Sequence, residues 1–151
     1  MPEINIYTDG GCSGNPGPGA WAAFISLDSG EITLTGSSKE TTNNQMELTA
    51  VIKALEYVKE HLRPGARLLV FTDSQYVKKG ITEWILNWRR NSWKNKNGDP
   101  IKNQKLWERL WELNEELKPS WHWVRGHASD PNNRLCDALV QAELKRFKAL
   151  K

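Results

Sequence analysis

The chain has 151 residues, 38% apolar and 26% charged, which suits one domain with a sizeable core. No run approaches the roughly 18 apolar residues of a membrane span, and Glu3 and Asn5 interrupt the N-terminus where a signal peptide would be apolar. The net charge of +3 is uneven: from Lys78 to Lys105 eight basic residues face two acids, a local +6 that leaves −3 for the remainder and points to a docked polyanion. Cys12 and Cys136 form neither a disulfide framework nor a metal-ligand spacing, so a reducing, cytoplasmic setting is expected.

The segment 4–10 (Ile-Asn-Ile-Tyr-Thr-Asp-Gly) is β-branched and aromatic, and reads as a strand that delivers Asp9 at its end. The Gly- and Pro-dense stretch 10–19 excludes helix and lets backbone approach a ligand closely, but it lacks the Lys and Ser/Thr of a phosphate loop. Residues 21–27 and 32–38 read as a hairpin turning at Asp28-Ser29-Gly30. Residues 41–44 offer N-caps for a long helix whose apolar stripe is Leu48, Val51, Leu55, Val58 and Leu62, with Asn43 and Glu47 sharing a neighbouring face. Residues 69–74 (Leu-Val-Phe-Thr-Asp-Ser) repeat the pattern of the first strand, with Asp73 in the matching place. A helical crossover between two such strands predicts that they are parallel neighbours, with Asp9 and Asp73 side by side.

Short helices are predicted over 74–79 and 84–90, followed by a polar, basic handle over about 84–103 that carries Trp84, Trp88 and Trp93. Interleaved Arg/Lys and Trp suits phosphate contact with stacking, most of the Trp residues being expected to pack the handle itself. A further helix bears Leu106, Leu110, Leu113 and Leu117, and residues 121–124 form a last strand. Asp130-Pro131 then starts a C-terminal helix with Asp137 in its second turn, off the apolar positions Leu135, Leu139 and Ala142. The expected fold is α/β: one domain over 1–151 with a five-stranded mixed sheet, three antiparallel strands and then parallel ones, covered by helices.

Asp9, Glu47, Asp73 and Asp137 therefore converge. Four carboxylates around one point require cations, and an all-oxygen set favours Mg²⁺ or Mn²⁺ over zinc. Beside a basic handle, this implies phosphodiester chemistry. The segments 7–19, 41–48 (Thr-Thr-Asn-Asn-Gln-Met-Glu-Leu), 72–77 (Thr-Asp-Ser-Gln-Tyr-Val) and 124–128 (Val-Arg-Gly-His-Ala), with Asn133 and Cys136-Asp137, closely resemble bacterial type 1 ribonuclease H over essentially the whole chain. Gln45, Gly11 and Arg125 depart from the Arg, Ser and Lys more usual in that family, and none of them touches the four acids.

The resemblance implies the ribonuclease H fold and endonucleolytic cleavage of the RNA strand of RNA–DNA hybrids, leaving 3′-hydroxyl and 5′-phosphate ends. It implies two Mg²⁺ ions, replaceable by Mn²⁺, held by Asp9, Glu47, Asp73 and Asp137, with Asp9 bridging. His127 is expected to move protons or assist product release. The amides of Asn15, Asn43, Asn44 and Gln75 are expected to read the 2′-hydroxyl, which both donates and accepts hydrogen bonds. Thr42 is expected on a DNA phosphate, Trp84 along the DNA sugars, and Arg89, Arg90 and Lys94 on remote phosphates. A monomer acting on hybrid duplex, without membrane, completes the expectation. Two rivals remain: a non-catalytic hybrid-binding module, and a DNA-directed nuclease of the same fold.

Overall fold

The computed structural model describes residues 3–62, 65–125 and 130–149. Strands β1 (Glu3–Cys12), β2 (Gly17–Leu27) and β3 (Gly30–Thr41) form an antiparallel meander, and helix α1 (Asn43–His61) crosses over to β4 (Arg67–Thr72). Next come α2 (Gln75–Lys79), α3 (Ile85–Arg90), α4 (Gln104–Leu117), β5 (Ser120–Trp123) and α5 (Pro131–Ala149). The sheet order is β3-β2-β1-β4-β5, with β4 parallel to both β1 and β5. The expected mixed sheet is therefore present.

The two faces of β1 account for the layering, because alternate residues point to opposite sides. Ile4 and Ile6 are buried in one core with Leu48, Val51, Leu55 and Val58 of α1 and with Trp107, Leu110 and Leu113 of α4. Ion pairs from Arg109 to Glu56 and from Lys59 to Glu116, both 3.0 Å, join α1 to α4 at the rim. A smaller cluster unites Ala20 and Ala22 of β2 with Val140 and Leu144 of α5. Small Ala side chains there let α5 approach the sheet. On the sheet, Tyr7, Phe71 and His122 stack in a row across β1, β4 and β5, with centroids 4.7 and 5.1 Å apart.

Three expectations need correction. The strands run into the Gly- and Pro-rich stretch: β1 pairs with β2 as far as Cys12↔Gly19, beyond the predicted strand limits at residues 10 and 21. The short helices at 74–79 and 84–90 are one continuous path, joined by a π-helical turn at Gly80–Trp84. A side chain at Gly80 would collide with the Trp107 ring, so the turn lies directly on that buried indole. Finally, α5 buries Asn133, Cys136, Val140 and Leu144, while Leu135 is 38% exposed and Ala142 is exposed. Of the predicted positions Leu139 does pack, half-buried, against the smaller cluster, and the buried stripe includes a cysteine and an asparagine that the apolar pattern did not count.

The handle folds back on itself. Lys94 bridges to Pro100, Ile101 N–H donates to the Trp93 carbonyl, and Asn95 Oδ1 accepts from the N–H groups of Asn97 and Asp99. Trp88 meets Trp107 edge-on with centroids 5.1 Å apart, and Trp93 is half-buried against the core, so both serve packing. Trp84 is 37% exposed.

Candidate active site

Register puts the acids together. Thr8 pairs with Thr72 in the parallel β1–β4 ladder, so the next residues, Asp9 and Asp73, reach the same level. Asp73 lies between a strand end and a helix cap. Ser74 N–H donates to Thr72 Oγ1 at 3.0 Å, and Ser74 Oγ accepts from Val77 N–H at 3.1 Å. The exposed Trp123 donates its indole N–H to the Asp73 carbonyl at 3.2 Å, tying β5 to the same point.

Glu47 arrives from α1, whose start is fixed by Thr42 Oγ1 accepting from Gln45 N–H at 3.2 Å. A Cβ on Gly10 would stand 2.5 Å from both Met46 C and Glu47 N. Only glycine allows the first turns of α1 to press on β1 there, and that contact brings Glu47 beside Asp9. One carboxylate oxygen from each of Asp9, Glu47 and Asp73 lies within 4.8 Å of the other two.

Asp137 completes the cleft. Asp130 Oδ1 caps α5 by accepting from the N–H groups of Asn132 and Asn133, and the buried Cys136 thiol donates to the Tyr7 carbonyl at 3.3 Å. This ties α5 to β1 one residue before Asp137. An open cleft of about 290 Å³ is lined by all four acids with Gly10, Gly11, Asn43 and Gln141. Asp137 lies outside the tight group of three.

The electrostatics show the strain of this grouping. Burial, then the Asp73 and Asp137 charges, push Asp9 up to about 8. Burial, then Asp9 and Asp73, push Glu47 well above the usual carboxylate range. Cys136 is raised to about 12, chiefly by burial and then by Asp9, so it remains a thiol. Glu47 Oε1 is buried without a hydrogen-bond partner. An orphaned oxygen among all-oxygen donors and mutually repelling charges fits a hard divalent cation.

The expected substrate contacts separate into groups. Asn43 lines the acid cleft, and its N–H donates to Asn15 Oδ1 at 3.0 Å. Asn15, Thr42 and Asn44 wall a neighbouring cavity of about 520 Å³ with Gln45, Tyr76 and Asn103. Gln75 is exposed in the first turn of α2, two residues after Asp73. Trp84, Arg89, Arg90 and Lys94 stand on the handle, outside both cavities, and Arg89 stacks on Trp111 at 4.3 Å. His127 lies outside the described residues.

Sequence reasoning missed Gly10 as the spacer, Trp123 as the tether of Asp73, and a polar chain near the second cavity. In that chain Thr41 Oγ1 donates to Gln45 Oε1, Gln45 Nε2 to Asn103 Oδ1, and Asn103 Nδ2 to the Tyr76 hydroxyl, which also accepts from Trp107 Nε1. These contacts span up to 58 positions in sequence, so no local pattern announces them.

Comparison with known proteins agrees with this geometry. The sequence profile of the family described as RNase H matches residues 1–145. The chain belongs to the ribonuclease H family. It is 47% identical over 151 residues to a ribonuclease H of Chelativorans sp. (strain BNC1), covering all of this chain and 91% of that one. It is 46% identical over 148 residues to a ribonuclease HI of Brucella melitensis biotype 1, covering 98% and 94% respectively. Among solved structures, LC9-RNase H1, a type 1 RNase H with the type 2 active-site motif, superposes with a TM-score of 0.83 at 29% identity, over 96% of this chain and 73% of that one. LC11-RNase H1, solved in complex with RNA/DNA hybrid, gives 0.66 at 26% identity, over 98% and 99%. The protein is accordingly an enzyme, a hydrolytic endonuclease that cleaves the RNA strand of hybrids. No helix of the described residues is long and apolar enough to cross a membrane.

Proposed function

We propose that Asp9, Glu47, Asp73 and Asp137 are the metal ligands and that hydrolysis of the RNA strand takes place in their cleft. The observation that carries this reading is the approach of three carboxylates to within 4.8 Å of one another, one of them, Glu47, with a buried oxygen that has no hydrogen-bond partner. The metal these acids would hold, a pair of Mg²⁺ ions or Mn²⁺ in their place, would supply water activation and stabilisation of the departing 3′-oxygen. Asp9, which feels the charges of both Asp73 and Asp137, would be the ligand shared between the ions. Glu47 and Asp73 would hold the metal with it, and Asp137, outside the tight group, would be the looser ligand.

Asn43, with Asn15 against its backbone, reads a 2′-hydroxyl next to the cleft, and Asn44 and Gln75 extend that reading along the strand. Thr42 has its hydroxyl committed to the helix cap, yet it lines the second cavity, where a phosphate of the DNA strand would meet it and Lys102. Arg90, Lys94 and Arg89 contact phosphates remote from the chemistry, and Trp84 offers its exposed ring to the sugars. His127 moves a proton or helps the product leave. The protein acts as a monomer of one domain in the cytoplasm.

The test is a substrate panel: labelled RNA–DNA hybrid, duplex DNA and duplex RNA, each with Mg²⁺, with Mn²⁺ and with EDTA. Cleavage of the hybrid RNA alone, giving 5′-phosphate ends and abolished by EDTA, is expected. Binding without cleavage, or cleavage of duplex DNA, would overturn the reading.

A further inference from the structure

A second groove continues from the acid cleft. It holds about 410 Å³ between residues 11–13, at the end of β1 and into its following turn, and Gln141, Leu144 and Lys145 of α5. Gly11, Asn43 and Gln141 line both spaces, so cleft and groove are contiguous. Their electrostatics differ sharply. Among the described residues the cleft has four carboxylates and the groove none, and the groove's one charged wall residue is Lys145. Lys145 is exposed and has no ion-pair partner among the described residues; the neighbouring Arg146 is instead engaged by Glu143 at 3.1 Å.

The spacing along α5 is regular. Asp137, Gln141 and Lys145 recur every four residues and share one face, at successive steps of about 6 Å along the axis. The face therefore reads acid, amide, ammonium, moving away from the cleft. Lys145 stands about 12 Å from Asp137 along that axis. Each strand of a duplex carries a charge every ~3.4 Å of its axis, so a strand whose scissile phosphate sits at Asp137 presents another phosphate within reach of Lys145.

We propose that this groove is a binding site for the RNA strand beyond the cleavage point, with Lys145 contacting a backbone phosphate and Gln141 hydrogen-bonding the sugar-phosphate between it and the acids. The occupant is the cut strand, because the groove shares its walls with the cleft. The Ser13 hydroxyl and the Asn43 amide on the opposite wall offer the donors and acceptors that a ribose requires. This rests on the reading that the acid cleft cleaves RNA, and the experiment separates the two.

Steady-state cleavage of hybrid is measured for the parent, Lys145→Ala, Lys145→Arg, Gln141→Ala and a charge-matched control, Lys53→Ala on the exposed side of α1. A set of hybrids has its RNA strand trimmed stepwise from either end. Lys145→Ala should raise KM about two- to fivefold without a matching fall in kcat, and Lys145→Arg should restore it. Its slope of log affinity against log salt, measured in EDTA, should be shallower by about 0.9. Gln141→Ala should raise KM by roughly two- to tenfold. Trimming the RNA from one end, and not the other, should progressively erase the difference between Lys145→Ala and the parent. The proposal is overturned if Lys145→Ala behaves like Lys53→Ala, or if its penalty is indifferent to RNA length at both ends. A parent that fails to cleave any hybrid would instead overturn the underlying reading.

Discussion

Replacing Asp9 with Asn should stabilise the metal-free protein, by an amount that depends on pH. Burial and neighbouring charges raise the Asp9 carboxyl from 3.8 to about 8. The folded state thus holds a proton that the unfolded chain has released between these limits, and stability falls as pH rises through that window. At 1.36 kcal/mol per unit, the cost accumulated by pH 7 is about 4 kcal/mol. The Asp9→Asn change keeps the shape and removes the charge. It retains an amide that can donate to the flanking carboxylates, though it gives up part of the hydrogen bond from Gly10 N–H. A net gain of roughly 2–4 kcal/mol corresponds to about 5–15 °C for a chain of this size. Thermal unfolding followed by circular dichroism in EDTA, at intervals from pH 4 to 9, is the assay. The Asp9→Asn protein should melt higher near neutrality, and the gap should close toward pH 4. Added Mg²⁺ should raise the parent more than the variant, because the cation offsets the repulsion. Parallel melting curves across the range would refute the reasoning, since the cluster would then carry no buried charge cost.

Three other outcomes are expected. Gly10→Ala places a methyl against the backbone of Met46 and Glu47; unfolding and cleavage assays should show a loss of about 1–3 kcal/mol and a fall in kcat as Glu47 is displaced. Arg90→Ala with Lys94→Ala should raise KM far more than it lowers kcat and should flatten the salt dependence of hybrid binding, whereas Arg89→Ala should also lower stability by roughly 0.5–1 kcal/mol because it loses its stack on Trp111. Asp137→Asn should retain more turnover than Asp9→Asn, and more in Mn²⁺ than in Mg²⁺.

Where local pattern and global packing agree, the sequence was readable. The twin Thr-Asp strand ends predicted a parallel pair, and the Thr8↔Thr72 register delivers it. The stripe through Leu48, Val51, Leu55 and Val58 has a strict helical period and is buried as read. Helix α5 was only partly legible because its inward face includes Cys136, which bonds the Tyr7 carbonyl and was not counted in the stripe, and the polar Asn133. The strand content of residues 10–19 was hidden by composition, since Gly and Pro read as loop unless the pairing partners are known. The π turn at Gly80 packs on the ring of Trp107, 27 positions away, a contact with no local signal in the sequence. In the site, residue types revealed the four acids, but the reason Glu47 reaches Asp9 is an absent side chain at Gly10, visible only once α1 lies on β1.

The measurement that bears most directly on the account is single-turnover cleavage of an RNA–DNA hybrid by Asp9→Asn, with hybrid binding measured in parallel. The account predicts binding close to that of the parent. It predicts a loss of turnover greater than the roughly hundredfold that removal of a residue merely supporting a metal ligand costs. Parental turnover by a folded, hybrid-binding Asp9→Asn protein would contradict the assignment of these acids as the catalytic metal site.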